Sequence, residues 1–154
     1  MRVVILENVR SAYNVWNIIR TADALWWDVR LCGYTPNPWD HKKVVKTSLG
    51  AEDSVGLKQF DYMDDVIKYA RKENFKIIAA EVCDEAVDLR KYSKKIMQSE
   101  NLAVIFWNEV DWVLKSTLDV VDDTVYIPMK WIKESLNVGQ TSAIFMRELS
   151  NWLD

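Results

Sequence analysis

The sequence predicts an α/β domain with a mostly parallel sheet and helices on both of its faces. Short β-branched runs alternate with segments of helical period from one end of the chain to the other. The runs around Val3–Leu6 and Leu102–Phe106 are apolar without interruption, as in strands covered on both faces. No linker, repeat or low-complexity tract divides the 154 residues, so residues 1–154 read as a single domain.

Taken in order, Arg2 to Leu6 is a buried strand. Asn14 to Leu25 carries Val15, Ile18, Ile19, Ala22 and Leu25 at helical spacing. Val29 to Cys32 is a short strand, followed by the turn-rich Gly33-Tyr34-Thr35-Pro36-Asn37-Pro38. Lys46 to Val55 is a short helix or turn, and Leu57 to Phe60 a further strand. Met63 to Lys72 places Met63, Val66, Ile67 and Ala70 on one helical face. Lys76 to Ala80 is a strand, Asp84 to Gln98 a charged connection, and Leu102 to Phe106 the central strand. A short helix at Val113–Leu118, a strand at Thr124–Ile127 and a helix from about Leu136 to Asn151 complete the chain. Ligands of such sheets bind beyond the carboxyl ends of the strands. The loops after Leu6, Ala80, Phe106 and Ile127 are therefore the candidate site.

Composition excludes several classes. With 49% hydrophobic and 28% charged residues the chain is an ordinary globular one. No apolar stretch approaches the roughly 20 residues of a membrane helix, and Met1–Leu6 is too short an apolar run for a signal peptide. Cys32 and Cys83 have no metal-ligand spacing and read as buried free thiols of a cytoplasmic protein. His41, the sole histidine, lies in a polar loop and reads as exposed and noncatalytic. A net charge of −3 counts mildly against a nucleic-acid partner, although Lys42-Lys43, Lys46, Arg71-Lys72, Arg90-Lys91 and Lys94-Lys95 are local basic clusters.

Polar residues embedded in three apolar segments carry the chemistry. Asn14-Val15-Trp16-Asn17-Ile18-Ile19-Arg20-Thr21-Ala22 is the first, Ala103-Val104-Ile105-Phe106-Trp107-Asn108-Glu109-Val110-Asp111-Trp112 the second, and Ile127-Pro128-Met129-Lys130-Trp131 with Glu134-Ser135-Leu136-Asn137-Val138 the third. On local grounds alone Asn14 is an N-cap, Ser135 caps the last helix, and Phe106, Ile127 and Leu136 are equally readable as core. Arg20, six residues after Asn14, is not on the same helix face and could pair with a carboxylate.

In order and spacing these segments resemble the three motifs of the SpoU class of SPOUT methyltransferases, with Asn-Val-Gly-x-x-x-Arg-Thr-Ala, Gly-Asn-Glu-x-x-Gly, and Ile-Pro-Met-x-Gly followed by Ser-Leu-Asn-Val. The resemblance covers nearly the whole chain. It implies a C-terminal trefoil knot, a homodimer, S-adenosylmethionine as methyl donor, and transfer to a ribose 2′-hydroxyl of tRNA or rRNA. It also implies a donor pocket of Phe106, Trp107, Asn108, Ile127, Met129, Leu136 and Asn137. The reacting groups would be Arg20, Asn14, Glu109, Ser135 and Asn137, with Arg20 completing the partner subunit's site. No metal and no membrane are implied. Arginine keeps its proton to about pH 12, so phosphate orientation and alkoxide stabilisation suit Arg20 better than proton abstraction. Glu109 is better read as structural, binding arginine or anchoring its loop, than as a base. A catalytically silent RNA-binding dimer of the same fold, its pocket blocked by tryptophans, is the alternative.

Eight tryptophans against four glycines invert the usual proportion. Trp16, Trp107, Trp112 and Trp131 stand where the family pattern has glycine. Trp26 or Trp27 stands where a glycine ends the first helix, and Trp39 follows a Pro-rich turn. Trp152 carries no such signal. The expectation is that UGA codons read as glycine in the source genome appear here as tryptophan.

Overall fold

The computed structural model describes residues 1–38, 54–96, 100–107, 115–130 and 136–150. Its strands are β1 (Arg2–Glu7), β2 (Asp28–Cys32), β3 (Leu57–Phe60), β4 (Lys76–Ala80), β5 (Val87–Asp88), β6 (Leu102–Trp107) and β7 (Asp123–Tyr126). Its helices are α1 (Ala12–Ala24), α2 (Met63–Lys72), α3 (Leu89–Ser93), α4 (Lys115–Leu118) and α5 (Val138–Glu148). The strands form one sheet in the order β3-β2-β1-β6-β4-β7-β5, with every pair parallel. The expected α/β class with a parallel sheet is what the chain adopts.

The two longest apolar runs lie side by side at the centre. β1 and β6 pair from Arg2↔Leu102 to Glu7↔Trp107, and all six β1 residues are buried. Strand polarity then divides the side chains between two faces. Val4, Leu6, Val104 and Phe106 join Val15, Ile18, Ile19 and Ala22 of α1 and Val138, Phe145 and Met146 of α5. Val3, Ile5, Ala103 and Ile105 pack instead on Val66 and Ala70 of α2. From β1 the chain moves outward through β2 and β3, and from β6 it continues towards the other edge. The strand order therefore reverses between β1 and β6. That gap is a topological switch point, and in open α/β sheets the crevice beyond the strand ends at such a point is where ligands bind.

Helix termini correct three sequence expectations. Asn14 is not the N-cap of α1: Ser11 is, accepting a hydrogen bond from the Asn14 backbone N–H at 3.3 Å, and Asn14 lies inside the first turn. The last helix begins later and ends earlier than expected, at Val138 and Glu148, and its cap is Asn137, whose side chain accepts from the Gly139 N–H at 2.8 Å. Cys83 is exposed, because it falls in the turn after β4 rather than in a strand, whereas Cys32 closes β2 and is buried. The charged connection Asp84–Gln98 contains β5 and α3. The short helix is Lys115–Leu118 and the strand before the last helix Asp123–Tyr126. His41 and the greater part of Lys46–Val55 lie outside the described residues, as do the segments 108–114 and 131–135 on which the expected knot depends.

The end of α1 separates two neighbouring tryptophans. The Trp27 N–H donates to the Ala22 carbonyl at 2.9 Å and the Trp26 N–H to the Asp23 carbonyl at 3.3 Å, the paired bonds of a Schellman termination. Trp26 accordingly has φ +60°, a left-handed conformation in which glycine is normally found, and its side chain is 82% exposed. Trp27 is 1% exposed, and its indole N–H donates to Ser150 Oγ at 2.8 Å, tying the end of α1 to the chain beyond α5. The glycine position of this helix end is thus Trp26. Trp16 is helical and buried, and Trp107 is extended at the end of β6.

Opposite responses follow for adjacent residues. Trp26→Gly should raise unfolding free energy by about 1 kcal/mol through relief of the left-handed backbone. Trp27→Gly should lower it by about 3 kcal/mol or more through lost core packing. Urea midpoints at unchanged slope read both; destabilisation by Trp26→Gly would contradict the assignment.

Candidate functional site

At the carboxyl edge of the sheet the first turns of α1 and α5 meet beside the β1/β6 crevice. The contact is close because α5 begins Asn137-Val138-Gly139. A Cβ placed on Gly139 would lie 3.1 Å from Asn137 Oδ1, 3.6 Å from Asn14 Oδ1 and 3.9 Å from Asn17 Cβ. The fold therefore brings together two candidate residues, Asn14 and Asn137, that are far apart in sequence. Asn14 is buried, and Asn137 is committed by its cap bond. Two helix N-termini pointing to the same edge add backbone donors and partial positive charge, suited to a carboxylate or phosphate group.

The apolar side of the same region is built from β6, β7 and α5. Phe106 is 2% exposed and meets Phe145 edge-on, with ring centroids 5.4 Å apart. Ile127, one residue beyond β7, packs on the same cluster. Leu136 is half-buried just before α5, and Met129 is 37% exposed. Trp107 behaves differently. It follows Phe106 in an extended strand, so its indole goes to the other face and packs with the α2 cluster. Phe106 and Trp107 cannot both offer side chains to one small pocket; at Trp107 the backbone is the group nearest the crevice.

Arg20 lies six residues along α1 from Asn14, about 9 Å at helical rise, and its side chain is exposed. Within one chain it is carried away from the carboxyl edge. Asn108, Glu109 and Ser135 lie outside the described residues. Of the basic clusters, Arg71 pairs with Asp122 at 2.7 Å and Arg90 with Asp88 at 3.2 Å. Among the described residues, no group of three His, Cys, Asp or Glu side chains could hold a metal ion.

One acidic group escaped the sequence reading. Glu7 ends β1 opposite Trp107, is buried, and accepts a 3.5 Å hydrogen bond from Thr117 Oγ1. Burial raises its carboxyl pKa above the ordinary value, and the Thr117 hydrogen bond offsets this only in part. The available signal was a carboxylate ending an uninterrupted apolar run at the ligand-binding edge. Next to it, burial and the Glu7 charge push the Cys32 thiol up to about 11, which keeps it protonated and unreactive at neutral pH.

A separate cavity of about 180 Å³ is lined by Lys76, Val87, Tyr92, Lys95, Ile96, Glu100 and Asp123. Lys76 and Asp123 are the first residues of β4 and β7, so the cavity opens at the amino edge, opposite the crevice. Three of its polar groups are paired: Lys76 Nζ with Asp123 at 3.1 Å, and the Tyr92 hydroxyl, which donates to Asp123 at 3.1 Å.

Comparison with known proteins agrees with the parallel α/β fold. A sequence model of the SpoU rRNA Methylase family matches residues 1–147. The chain belongs to the SpoU rRNA Methylase family. It is 26% identical over 153 residues to the tRNA (guanosine(18)-2'-O)-methyltransferase of Escherichia coli, covering 94% of this chain and 61% of that one. It is 27% identical over 146 residues to the Thermus thermophilus enzyme of the same name, covering 94% of this chain and 72% of that one. The chain thus spans about three fifths of the Escherichia coli relative. Among solved structures, the AdoMet-bound rRNA methyltransferase from Sinorhizobium meliloti superposes with TM-score 0.87 at 24% identity, over 99% of this chain and 57% of that one. The SpoU methylase fold is thereby established for this chain.

The pH dependence of stability checks the Glu7 environment. A raised folded-state pKa means the carboxylate costs stability once ionised. That cost is absent below the unfolded pKa of about 4.3 and grows as pH rises through the folded value. Glu7→Gln should therefore gain stability relative to the parent protein between about pH 4 and pH 7. A difference that stays constant across that range would contradict a buried, weakly compensated carboxylate.

Proposed function

We propose that this chain is an RNA 2′-O-methyltransferase that takes its methyl group from S-adenosylmethionine and acts on tRNA or rRNA. The observation that carries the reading is the junction of Asn14 and Asn137 over Gly139, beside the Phe106–Ile127 wall at the β1/β6 crevice. Family membership and the printed activities of the relatives support it.

The residues fit such a donor. Its adenine needs apolar walls, which Phe106, Ile127 and Leu136 supply, with Met129 at the rim and the Trp107 backbone at the end of β6. Its charged amino-acid end suits the polar junction of Asn14 and Asn137. A Cβ at residue 139 would crowd the Asn137 cap oxygen at 3.1 Å, so glycine keeps that junction uncrowded. When bound, S-adenosylmethionine supplies an electrophilic methyl group on a sulfonium centre.

The chain's own groups do the rest. Arg20 binds a phosphate next to the target nucleotide and stabilises negative charge developing on the 2′-oxygen. Its exposure and its distance from Asn14 favour action on the partner subunit's site, so the working unit is a homodimer. Glu109 and Ser135, outside the described residues, belong to the same site on the family resemblance, as does the trefoil knot of the class. The cytoplasm is the compartment of such substrates; no described helix is long and apolar enough to cross a membrane.

The tryptophans bear on the activity of the chain as written. Trp26 holds a glycine conformation, which favours the reading that UGA-encoded glycines are here written as tryptophan. A silent RNA-binding dimer is the alternative, but the Trp107 indole packs on the α2 face, away from the Phe106–Ile127 wall, and does not favour it. The protein with glycine at 16, 26, 107, 112 and 131 should bind S-adenosylmethionine and methylate RNA more than 10-fold faster than the tryptophan form. Mass spectrometry of nucleosides from modification-deficient tRNA and rRNA reads this. Failure of both forms to bind the donor would overturn the enzymatic reading.

Subunit mixing tests the cross-subunit role. Arg20→Ala and Asn137→Ala should each lose about 100-fold or more of the methylation rate. Their mixture should recover activity, because a heterodimer then holds one intact site. No recovery on mixing would place Arg20 in its own subunit's site.

A further inference from the structure

We infer that Tyr34 and Arg10 form a stacking platform for an unpaired RNA base beside the methylation site. The inference rests on the methyltransferase reading for its ligand class, but its own support is a loop whose construction serves to present one aromatic ring. The Tyr34 ring is 53% exposed at the carboxyl end of β2, in the loop next to the β1–α1 connection. The Arg10 guanidinium carbon stands 5.7 Å from its centroid, and Arg10 Nε donates to the Tyr34 hydroxyl at 3.3 Å. An exposed cation–aromatic pair of this kind contributes little to folding by itself.

The backbone beneath the pair is held far more firmly than an incidental surface contact requires. Gly33 has φ +62°, its N–H donates to the Phe60 carbonyl at 3.1 Å, and a Cβ at this position would run into Asn8 Oδ1. That same Asn8 oxygen accepts from the Tyr34 N–H at 3.3 Å, while the Asn8 N–H donates to the Cys32 carbonyl at 3.2 Å. Asn8 is itself left-handed, with φ +53°. Thr35, 1% exposed, accepts from the Val9 N–H at 3.1 Å, and its hydroxyl lies 2.9 Å from the Leu6 carbonyl and 2.8 Å from that of Cys32. Residues on both sides of Tyr34 are thus bonded to the tops of three strands, and two unusual backbone conformations are maintained. The Tyr34 ring stands at the surface with the Arg10 guanidinium against it.

The chemistry of the surface fixes the occupant. The chain is acidic, with 23 Asp and Glu against 20 Lys and Arg, and Arg71 and Arg90 are engaged in ion pairs with Asp122 and Asp88. Phosphate neutralisation alone gives such a chain little hold on RNA. Base stacking on an aromatic ring backed by arginine supplies affinity without net charge, and it requires an unstacked base. Tyr13, 66% exposed and directly before Asn14 in the first turn of α1, lies at the same carboxyl edge.

The test uses the full-length dimer and a single-stranded RNA hairpin loop carrying 2-aminopurine, with a fully paired RNA as control. The parent protein should quench 2-aminopurine fluorescence on binding the loop and not on mixing with the duplex. Tyr34→Ala should weaken loop binding about tenfold and abolish the quenching, Arg10→Ala should weaken binding with a smaller slope against salt, and Tyr34→Phe should retain the quenching. S-adenosylmethionine affinity, read by calorimetry, should be unchanged in all three, so loss of the methyl-donor reading and loss of the platform are separately visible. Unaltered quenching and affinity in Tyr34→Ala would overturn the platform even if the protein methylates RNA. Absence of any loop binding by the parent protein would overturn it as well.

Discussion

The close approach of α5 to α1 at Gly139 is the constraint on which the site depends. Both helices lie on the same face of the sheet, and both start at its carboxyl edge. A Cβ on Gly139 would crowd the Asn137 cap oxygen at 3.1 Å, with Asn14 and Asn17 at ordinary contact distance, so the glycine leaves the cap undisturbed where the first turns meet. The contact is backed by Phe145 against Phe106 and by the Trp27–Ser150 hydrogen bond at the far end of α1. These fix α5 on the central strands, so the polar junction and the apolar wall face the same crevice. A parallel sheet alone would give the crevice; the helix pair gives it a lining.

The division of labour between the two faces has consequences for how the edge can be used. Phe106 and Ile127 look towards α1 and α5, whereas Glu7 and Trp107 look towards α2 and the chain after β6. A ligand in the crevice would meet apolar side chains on one side and strand-end backbone on the other. The acidic Glu7 and the unreactive Cys32 beneath that backbone then shape electrostatics without themselves offering a nucleophile.

Much of this was legible in the sequence, for identifiable reasons. Uninterrupted apolar runs announced β1 and β6, and the helical period of Val15, Ile18, Ile19 and Ala22 announced α1. The motif polar residues pointed to Asn14 and Asn137. What escaped was local. Asn14 reads as a cap by residue type, but Ser11 is three residues earlier and its hydroxyl reaches the Asn14 N–H. Ser135 reads as a cap for α5, but the helix starts after Asn137. Glu7 was overlooked because a single charge ending a strand resembles a boundary. The choice between Trp26 and Trp27 needed φ, since nothing in the pair of letters distinguishes a left-handed exposed position from a core one. The outward-facing loop at Tyr34 needed the hydrogen bonds of Asn8, Gly33 and Thr35, which link segments over twenty residues apart.

The most direct measurement is amide-resolved NMR of the glycine-restored protein titrated with S-adenosylmethionine. The account predicts the largest shifts at Asn14, Phe106, Ile127 and Gly139, with Lys76, Tyr92 and Asp123 unmoved. Shifts centred instead on the amino-edge residues Lys76, Tyr92 and Asp123, with the α1–α5 junction silent, would contradict it.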